Sequence, residues 1–149
     1  MALRVLAVPA LVVLLVMGSP IAAATEPRQF DYMLNCQGCH LPDGSGNAER
    51  QVPAFPGQLG KFLGVPGGRE YLVQVPGSAL SGLSDNALAD VLNWMLETFS
   101  ATELPAGFEP YTGAELHAWR QSPPADVERV RRELLERIAR QEEQQRKGN

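Results

Sequence analysis

The sequence predicts a mostly α-helical protein in which two helices flank a long irregular segment. In residues 27–35 and 85–99, apolar residues recur every three or four positions, the spacing of one buried helix face. Residues 41–82, which lie between them, are rich in glycine and proline, so little regular structure beyond short turns is expected there. A length of 149 residues suits a single domain.

The first helix is expected to begin at Pro27, because proline suits a first helical position where its missing N–H would have no partner. Phe30, Met33 and Leu34 follow at helical spacing, and the pattern ends at Cys36. These residues predict a short amphipathic helix.

The second helix is expected over about Asp85–Phe99. Ser84 is a good N-cap, and Leu83 and Leu88 occupy the two positions of a hydrophobic staple. Trp94 lies off the middle of the apolar stripe. That stripe consists of Leu88, Leu92, Met95, Leu96 and Phe99.

A short motif, Cys36-Gln37-Gly38-Cys39-His40, contains both cysteines of the chain and one of its two histidines. The C-x-x-C-H spacing is typical of c-type haem attachment, in which two thiols bond to the haem and the adjacent imidazole ligates the iron. We therefore predict one covalent haem at Cys36 and Cys39, with His40 as the proximal iron ligand. A thioredoxin-like redox pair would require a β-α-β context that the pattern lacks. A disulfide between these near neighbours is a further alternative, whereas a zinc site would need more ligands.

Two further segments, Asp43-Gly44-Ser45-Gly46-Asn47 and Val52-Pro53-Ala54-Phe55, follow this motif. Together with the C-x-x-C-H motif, these two segments make residues 26–100 similar to the class I cytochromes c. The resemblance implies a small cytochrome c-like helical domain wrapped around one covalent haem c, here followed by additional C-terminal helices.

The resemblance also implies roles for individual residues. The first helix would cross the last core helix, which makes Phe30 and Leu34 expected core contacts. The carbonyl of Pro53 would accept the Nδ1 proton of His40 and so fix the imidazole tautomer, with a plain turn proline as the alternative. Trp94 would pack near the haem edge.

The glycine- and proline-rich segment needs an apolar surface to pack on, because long structureless loops are uncommon in small domains. A haem would supply surface that a domain of this size cannot easily generate alone. The residues expected to wrap it are Phe55, Leu59, Phe62, Leu63 and residues 71–75.

The N-terminal segment predicts a secretory signal peptide, residues 1–24. Arg4 precedes an apolar run over residues 5–17, and Ala22-Ala23-Ala24 forms a small-residue cleavage pattern. A retained anchor is the alternative, but the apolar run is shorter than the roughly 20 residues that span a bilayer. Proteins resembling this one receive their haem outside the bacterial cytoplasm, so we expect a periplasmic protein with no membrane span after cleavage.

Charge is distributed unevenly along the chain. Residues 25–120 contain 11 Asp or Glu residues and 5 Lys or Arg residues. Residues 121–149 contain 6 Asp or Glu residues and 7 Lys or Arg residues. Nucleic-acid binding is disfavoured, because it depends on clustered basic residues that neutralise phosphates. The acidic region would attract basic protein partners or simply maintain solubility.

Residues 101–149 form a predicted C-terminal helical extension. Thr112 and Glu115 are placed as a capping box that opens a helix ending at Arg120, and a second helix is expected from Asp126 to about Arg140. The polar residues 141–149 are expected to fray. The apolar stripe of the second helix would dock on the preceding domain or bind a partner. It consists of Val127, Val130, Leu134, Leu135 and Ile138.

The sixth iron ligand is the open question of the sequence. Proteins similar to this one present a methionine from the loop ahead of the last core helix, but residues 76–82 contain none. After His40 the conventional candidates are Met95 and His117. Met95 is the possible distal ligand, with core packing as its alternative, and the iron could also be left open.

The number of strong iron ligands that the protein supplies decides its functional class. Two protein ligands favour an electron carrier rather than an enzyme, one that moves single electrons from a periplasmic dehydrogenase to an oxidase or copper protein. An open face would favour a gas or peroxide sensor or a peroxidase-like enzyme. A third possibility is a dedicated cytochrome subunit of a dehydrogenase complex.

Overall fold

The computed structural model describes residues 26–148, and within that range the regular elements are all helices. The predicted signal peptide lies outside the described residues. The α-helices are α1 Pro27–Asn35, α2 Gln37–His40, α3 Gly68–Gln74, α4 Pro76–Ala79, α5 Asp85–Phe99, α6 Gly113–Arg120 and α7 Val127–Gly148, and Leu59–Gly64 and Ala101–Glu103 form 3₁₀ turns. Between residues 26 and 148, no helix has the length and apolar character needed to cross a membrane.

Helix α1 packs against α5, as expected, but through a different face. Phe30 and Leu34 are 50% and 67% exposed, so their predicted place in the core is wrong. Tyr32 is instead buried, and its ring centroid lies 5.2 Å from that of Trp94 and 5.4 Å from that of Phe99. At 100° per residue, position 32 points away from positions 30 and 34, so burial of Tyr32 turns those two side chains to solvent.

The segment over residues 41–82 is more regular than its composition predicts, since it contains α3, α4 and a 3₁₀ turn. Glycine makes the start of α3 possible. Gly67 has a φ of +85°, and a Cβ on Gly68 would lie only 1.9 Å from the carbonyl oxygen of Phe62. Six of the expected wrapping residues are buried in the core: Phe55, Leu59, Phe62, Tyr71, Leu72 and Val73.

Helix α5 has the predicted span and the predicted cap. The Ser84 hydroxyl accepts a hydrogen bond from the backbone N–H of Ala87 at 3.2 Å. The buried side of the helix includes Leu88, Leu92, Met95 and Leu96, as the stripe predicts. The helix therefore forms the central wall of the domain.

The C-terminal extension packs directly on α5. The predicted capping box is present, with Thr112 and Glu115 each bonded to the other's backbone N–H. Just before it, Tyr111 is buried and pairs with Asn93 of α5, whose amide donates to the Tyr111 carbonyl at 3.0 Å and accepts from its N–H at 2.7 Å. This reciprocal pair joins the extension to the core.

Helix α7 docks through its apolar stripe, with Leu134 and Ile138 buried against α3 and the first 3₁₀ turn. It continues to Gly148, beyond the end predicted near Arg140, while fraying of the last residues stays a prediction. Ion pairs explain the longer helix. Glu143 pairs with Lys147 one turn on at 3.1 Å, and Glu142 pairs with Lys61 of the 3₁₀ turn at 2.7 Å.

Candidate haem site

One cavity brings together Cys36, Cys39 and His40 with the buried face of α5. The wall opposite the motif is apolar and includes Leu88, Leu92 and Met95. The convergence follows from local structure and from packing. Helix α2 places the motif in one helical turn, and α1 carries that turn against α5.

The two thiols are free and lie on one side of that turn, since positions three apart in a helix are neighbours. Cys36 is half-buried and Cys39 is exposed. Burial, together with the nearby Asp31 carboxylate, raises the pKa of Cys36 to about 11. The Cys36 sulfur is therefore a neutral thiol in this environment.

His40 is held by the residue that the resemblance indicated. Its Nδ1 lies 3.1 Å from the carbonyl oxygen of Pro53, so the predicted hydrogen bond is present. The ring also stacks on Phe55, with a centroid separation of 4.0 Å. Burial lowers the pKa of His40, against the opposing effect of the Pro53 bond. The neutral ring thus donates from Nδ1, which leaves the Nε2 lone pair for a metal.

The segment ahead of α5 lines the same cavity through Gly77 and Ser78 of α4 and through Ser81 in the loop that follows. None of these side chains is a conventional iron ligand. The loop is fixed from outside by Arg120, which donates to the carbonyls of Ala79 and Ser81 at 3.2 and 2.8 Å. Sequence reasoning missed this contact, which no local pattern signals.

The two candidate distal ligands lie in different places. Met95 is 4% exposed and lines the cavity with His40. His117 does not line this cavity, and 69% of its side chain is exposed. Its ring pairs instead with Asp85 at 3.0 Å and with Gln121 at 2.8 Å. The structure therefore brings Met95, and not His117, to the motif.

Two aromatic residues, Tyr32 and Trp94, support the motif region without lining the cavity, and only Tyr32 bonds to residues of this region. Trp94 packs edge-on against Phe99, with ring centroids 5.5 Å apart, and also contacts Tyr32. The Tyr32 hydroxyl donates to the Leu41 carbonyl at 2.6 Å, which ties α1 to the residue after His40. Tyr32 is a supporting residue that the sequence analysis did not single out.

Comparison with known proteins shows a similarity to cytochromes. The chain is 29% identical to cytochrome c-552 of Thermus thermophilus over an alignment of 103 residues. The match covers 57% of this chain and 78% of the relative. The similarity supports a c-type cytochrome. A second cytochrome c-552, from a particular strain of the same species, is also 29% identical over an alignment of 103 residues. That match covers 57% of this chain and 69% of the relative. No family model matches the chain, and no solved structure matches it significantly.

The residues around the cavity fit the haem c that such cytochromes carry. Two free thiols stand within one turn, a neutral imidazole is oriented through a backbone carbonyl, and the opposite wall is apolar. Together they offer two sulfurs for thioether bonds, one nitrogen for iron and an apolar surface for the macrocycle.

Proposed function

We propose that this protein is a monohaem c-type cytochrome of the class I type that carries single electrons in the periplasm. The convergence of Cys36, Cys39 and a neutral His40 on one apolar-walled cavity is the observation that carries the proposal. Haem c supplies a one-electron redox centre when bound.

Each motif residue has a distinct role in this proposal. Cys36 and Cys39 hold the haem through thioether bonds, and His40 ligates the iron through Nε2. The Pro53 carbonyl holds the Nδ1 proton, which fixes the ring orientation and makes Nε2 the better donor. The stacked Phe55 ring further restricts rotation of the imidazole.

Met95 is the proposed distal ligand. It is buried, it lines the cavity that contains His40, and it is the conventional candidate that reaches this cavity. Met95 would supply a second strong ligand to the iron, which would favour simple electron transfer over substrate binding.

The second candidate function is that of an open-faced haem protein, a sensor or a peroxidase-like enzyme. The methionine-free loop, with Gly77, Ser78 and Ser81 on the cavity, favours it. Peroxide chemistry would also need an acid or base on the distal side. Apart from the motif's own Cys36, Cys39 and His40, no titratable side chain lines this cavity within residues 26–148. The carrier is therefore preferred.

The proposed partners are a periplasmic dehydrogenase as donor and an oxidase or copper protein as acceptor. The apolar N-terminal run supports export, and the acidic residues 25–120 favour basic partner surfaces. If the protein were a stable cytochrome subunit of a dehydrogenase, it would co-migrate with a larger enzyme on gel filtration of a cell extract.

The proposal is tested by expressing the full chain with a bacterial cytochrome c maturation system. Haem staining should survive denaturing electrophoresis of the wild type and disappear in the Cys36→Ala, Cys39→Ala double variant. The His40→Ala variant should keep covalent haem but change its absorption spectrum. Haem that acid acetone extracts from the wild type would contradict covalent attachment.

Carrier and open-face functions are then separated by carbon monoxide. The reduced carrier should bind it slowly or not at all, because Met95 already occupies the iron. Immediate binding by the wild type would favour the sensor or enzyme.

A further inference from the structure

A second cavity, of about 630 Å³, adjoins the candidate haem site. It lies between the loop around Pro53, the junction of α3 and α4 at Val75 and Pro76, and helix α7. Pro53 is the residue whose carbonyl holds His40, and Pro76 directly precedes Gly77 of the first cavity. The two cavities are thus lined by chain neighbours, Ala54 beside Phe55 and Pro76 beside Gly77.

Arg131 of α7 lines this second cavity. It is half-buried, and no hydrogen bond or ion pair joins it to any residue in the described range 26–148. Other arginines of the helix are engaged: Arg129 pairs with Glu133 at 2.7 Å, and Arg137 donates to the Pro66 carbonyl at 2.9 Å. Arg131 therefore presents a guanidinium to the cavity that is free to pair with an anion.

Tyr71 of α3 supplies a second donor on the same cavity. The residue is 5% exposed, and its hydroxyl makes no hydrogen bond to a residue of the described part of the chain. The hydroxyl oxygen itself remains accessible, because no fully buried side-chain oxygen or nitrogen within residues 26–148 lacks a partner. Burial raises the pKa of Tyr71 to about 12, so the hydroxyl stays protonated and able to donate. Glu128 also lines the cavity but forms no ion pair with Arg131 within residues 26–148.

We propose that Arg131 and Tyr71 bind the propionate carboxylates of the haem, which makes α7 part of the cofactor site. This inference rests on the proposed function. Thioether bonds hold one edge of a haem, and its two propionates project from the opposite edge. With the first edge held at Cys36 and Cys39, the second cavity is the adjoining space that we assign to the far edge. A guanidinium and a phenol are suitable donors to carboxylates.

The test compares two charge-removing variants of the full haem-loaded protein. Arg131→Gln removes the cation on the cavity, whereas Arg132→Gln removes its exposed neighbour, which does not line the cavity. Arg131→Gln should lower the reduction potential more than the control does, because an uncompensated carboxylate favours ferric iron. It should also shift the propionate bending bands in resonance Raman spectra. Equal potentials and unchanged bands in the two variants would overturn the inference.

Tyr71→Phe is the second variant, in case Arg131→Gln does not accumulate. It removes only the hydroxyl and should shift the same Raman bands, and unchanged bands would count against the site. Dependence of the wild-type potential on added acetate or phosphate, absent in Arg131→Gln, would assign the site to a solute anion and overturn the haem assignment. Haem staining of every sample separates failure of this inference from failure of the proposed function. Missing covalent haem in the wild type would contradict the proposed function itself.

Discussion

The guanidinium of Arg120 lies against Asp85, with Nη1 2.9 Å from the carboxylate Oδ1. The same side chain donates to the carbonyls of Ala79, Ser81 and Leu83. One residue of the C-terminal extension therefore holds the loop that lines the candidate haem cavity and the first turn of α5.

Removing this contact should destabilise the protein. Arg120→Ala deletes several charge-assisted hydrogen bonds and leaves loop carbonyls without their donor, so we expect a loss of about 2–4 kcal/mol in the free energy of unfolding. Urea unfolding followed by circular dichroism measures it. The exposed Arg132→Ala is the control and should change stability by less than about 0.5 kcal/mol. Equal effects of the two variants would show that the Arg120 contacts contribute nothing.

The Asp85 interaction should also make stability depend on pH. Hydrogen bonds from Arg120 and then His117 lower the pKa of Asp85 below its ordinary value of 3.8. The unfolded chain therefore binds a proton at a higher pH than the folded chain does. The contribution is fully present above the unfolded pKa and is lost as the pH falls through the folded pKa.

Asp85→Asn provides the measurement, because it keeps the side chain's shape and removes its charge. Urea midpoints of the wild type and the variant should differ most above about pH 5 and converge as the pH falls through the lowered pKa of Asp85. A constant difference over that range would contradict the lowered pKa.

Local signals in the sequence predicted the starts of α5 and α6 well. The Ser84 cap and the Thr112–Glu115 capping box depend on groups within three residues, so the pattern alone determines them. The Arg120 contacts join residues 35 to 41 positions apart, and no local pattern encodes them. The same limit applies to the candidate site. The C-x-x-C-H motif indicates its chemistry, but the place of Arg131 on the second cavity appears only after α7 has docked.

The face of α1 illustrates why periodicity alone can mislead. Phe30 and Leu34 form the more apolar side by composition, yet Tyr32 is buried, because its ring packs with Trp94 and its hydroxyl reaches the Leu41 carbonyl. An aromatic residue with one polar end satisfies both contacts, whereas leucine satisfies only one.

Alanine substitutions test this corrected face. Tyr32→Ala should cost about 3–5 kcal/mol, as truncation of a large buried aromatic side chain usually does. Leu34→Ala, on the exposed side, should change stability by no more than about 0.5 kcal/mol. Both values come from urea unfolding of the haem-loaded protein. A large loss in Leu34→Ala would place that residue in the core after all.

Met95→Leu separates the two possible roles of the buried methionine. If its sulfur ligates the iron, the variant should lose the far-red sulfur-to-iron absorption band, show a lower reduction potential and bind carbon monoxide readily. If Met95 only packs, this volume-conserving change should cost less than about 1.5 kcal/mol and leave the spectrum unchanged. Met33→Leu is the matched control, because Met33 is 44% exposed and does not line the cavity. A silent Met95→Leu, together with ready carbon monoxide binding by the wild type, would contradict the carrier function and favour an open-faced haem protein.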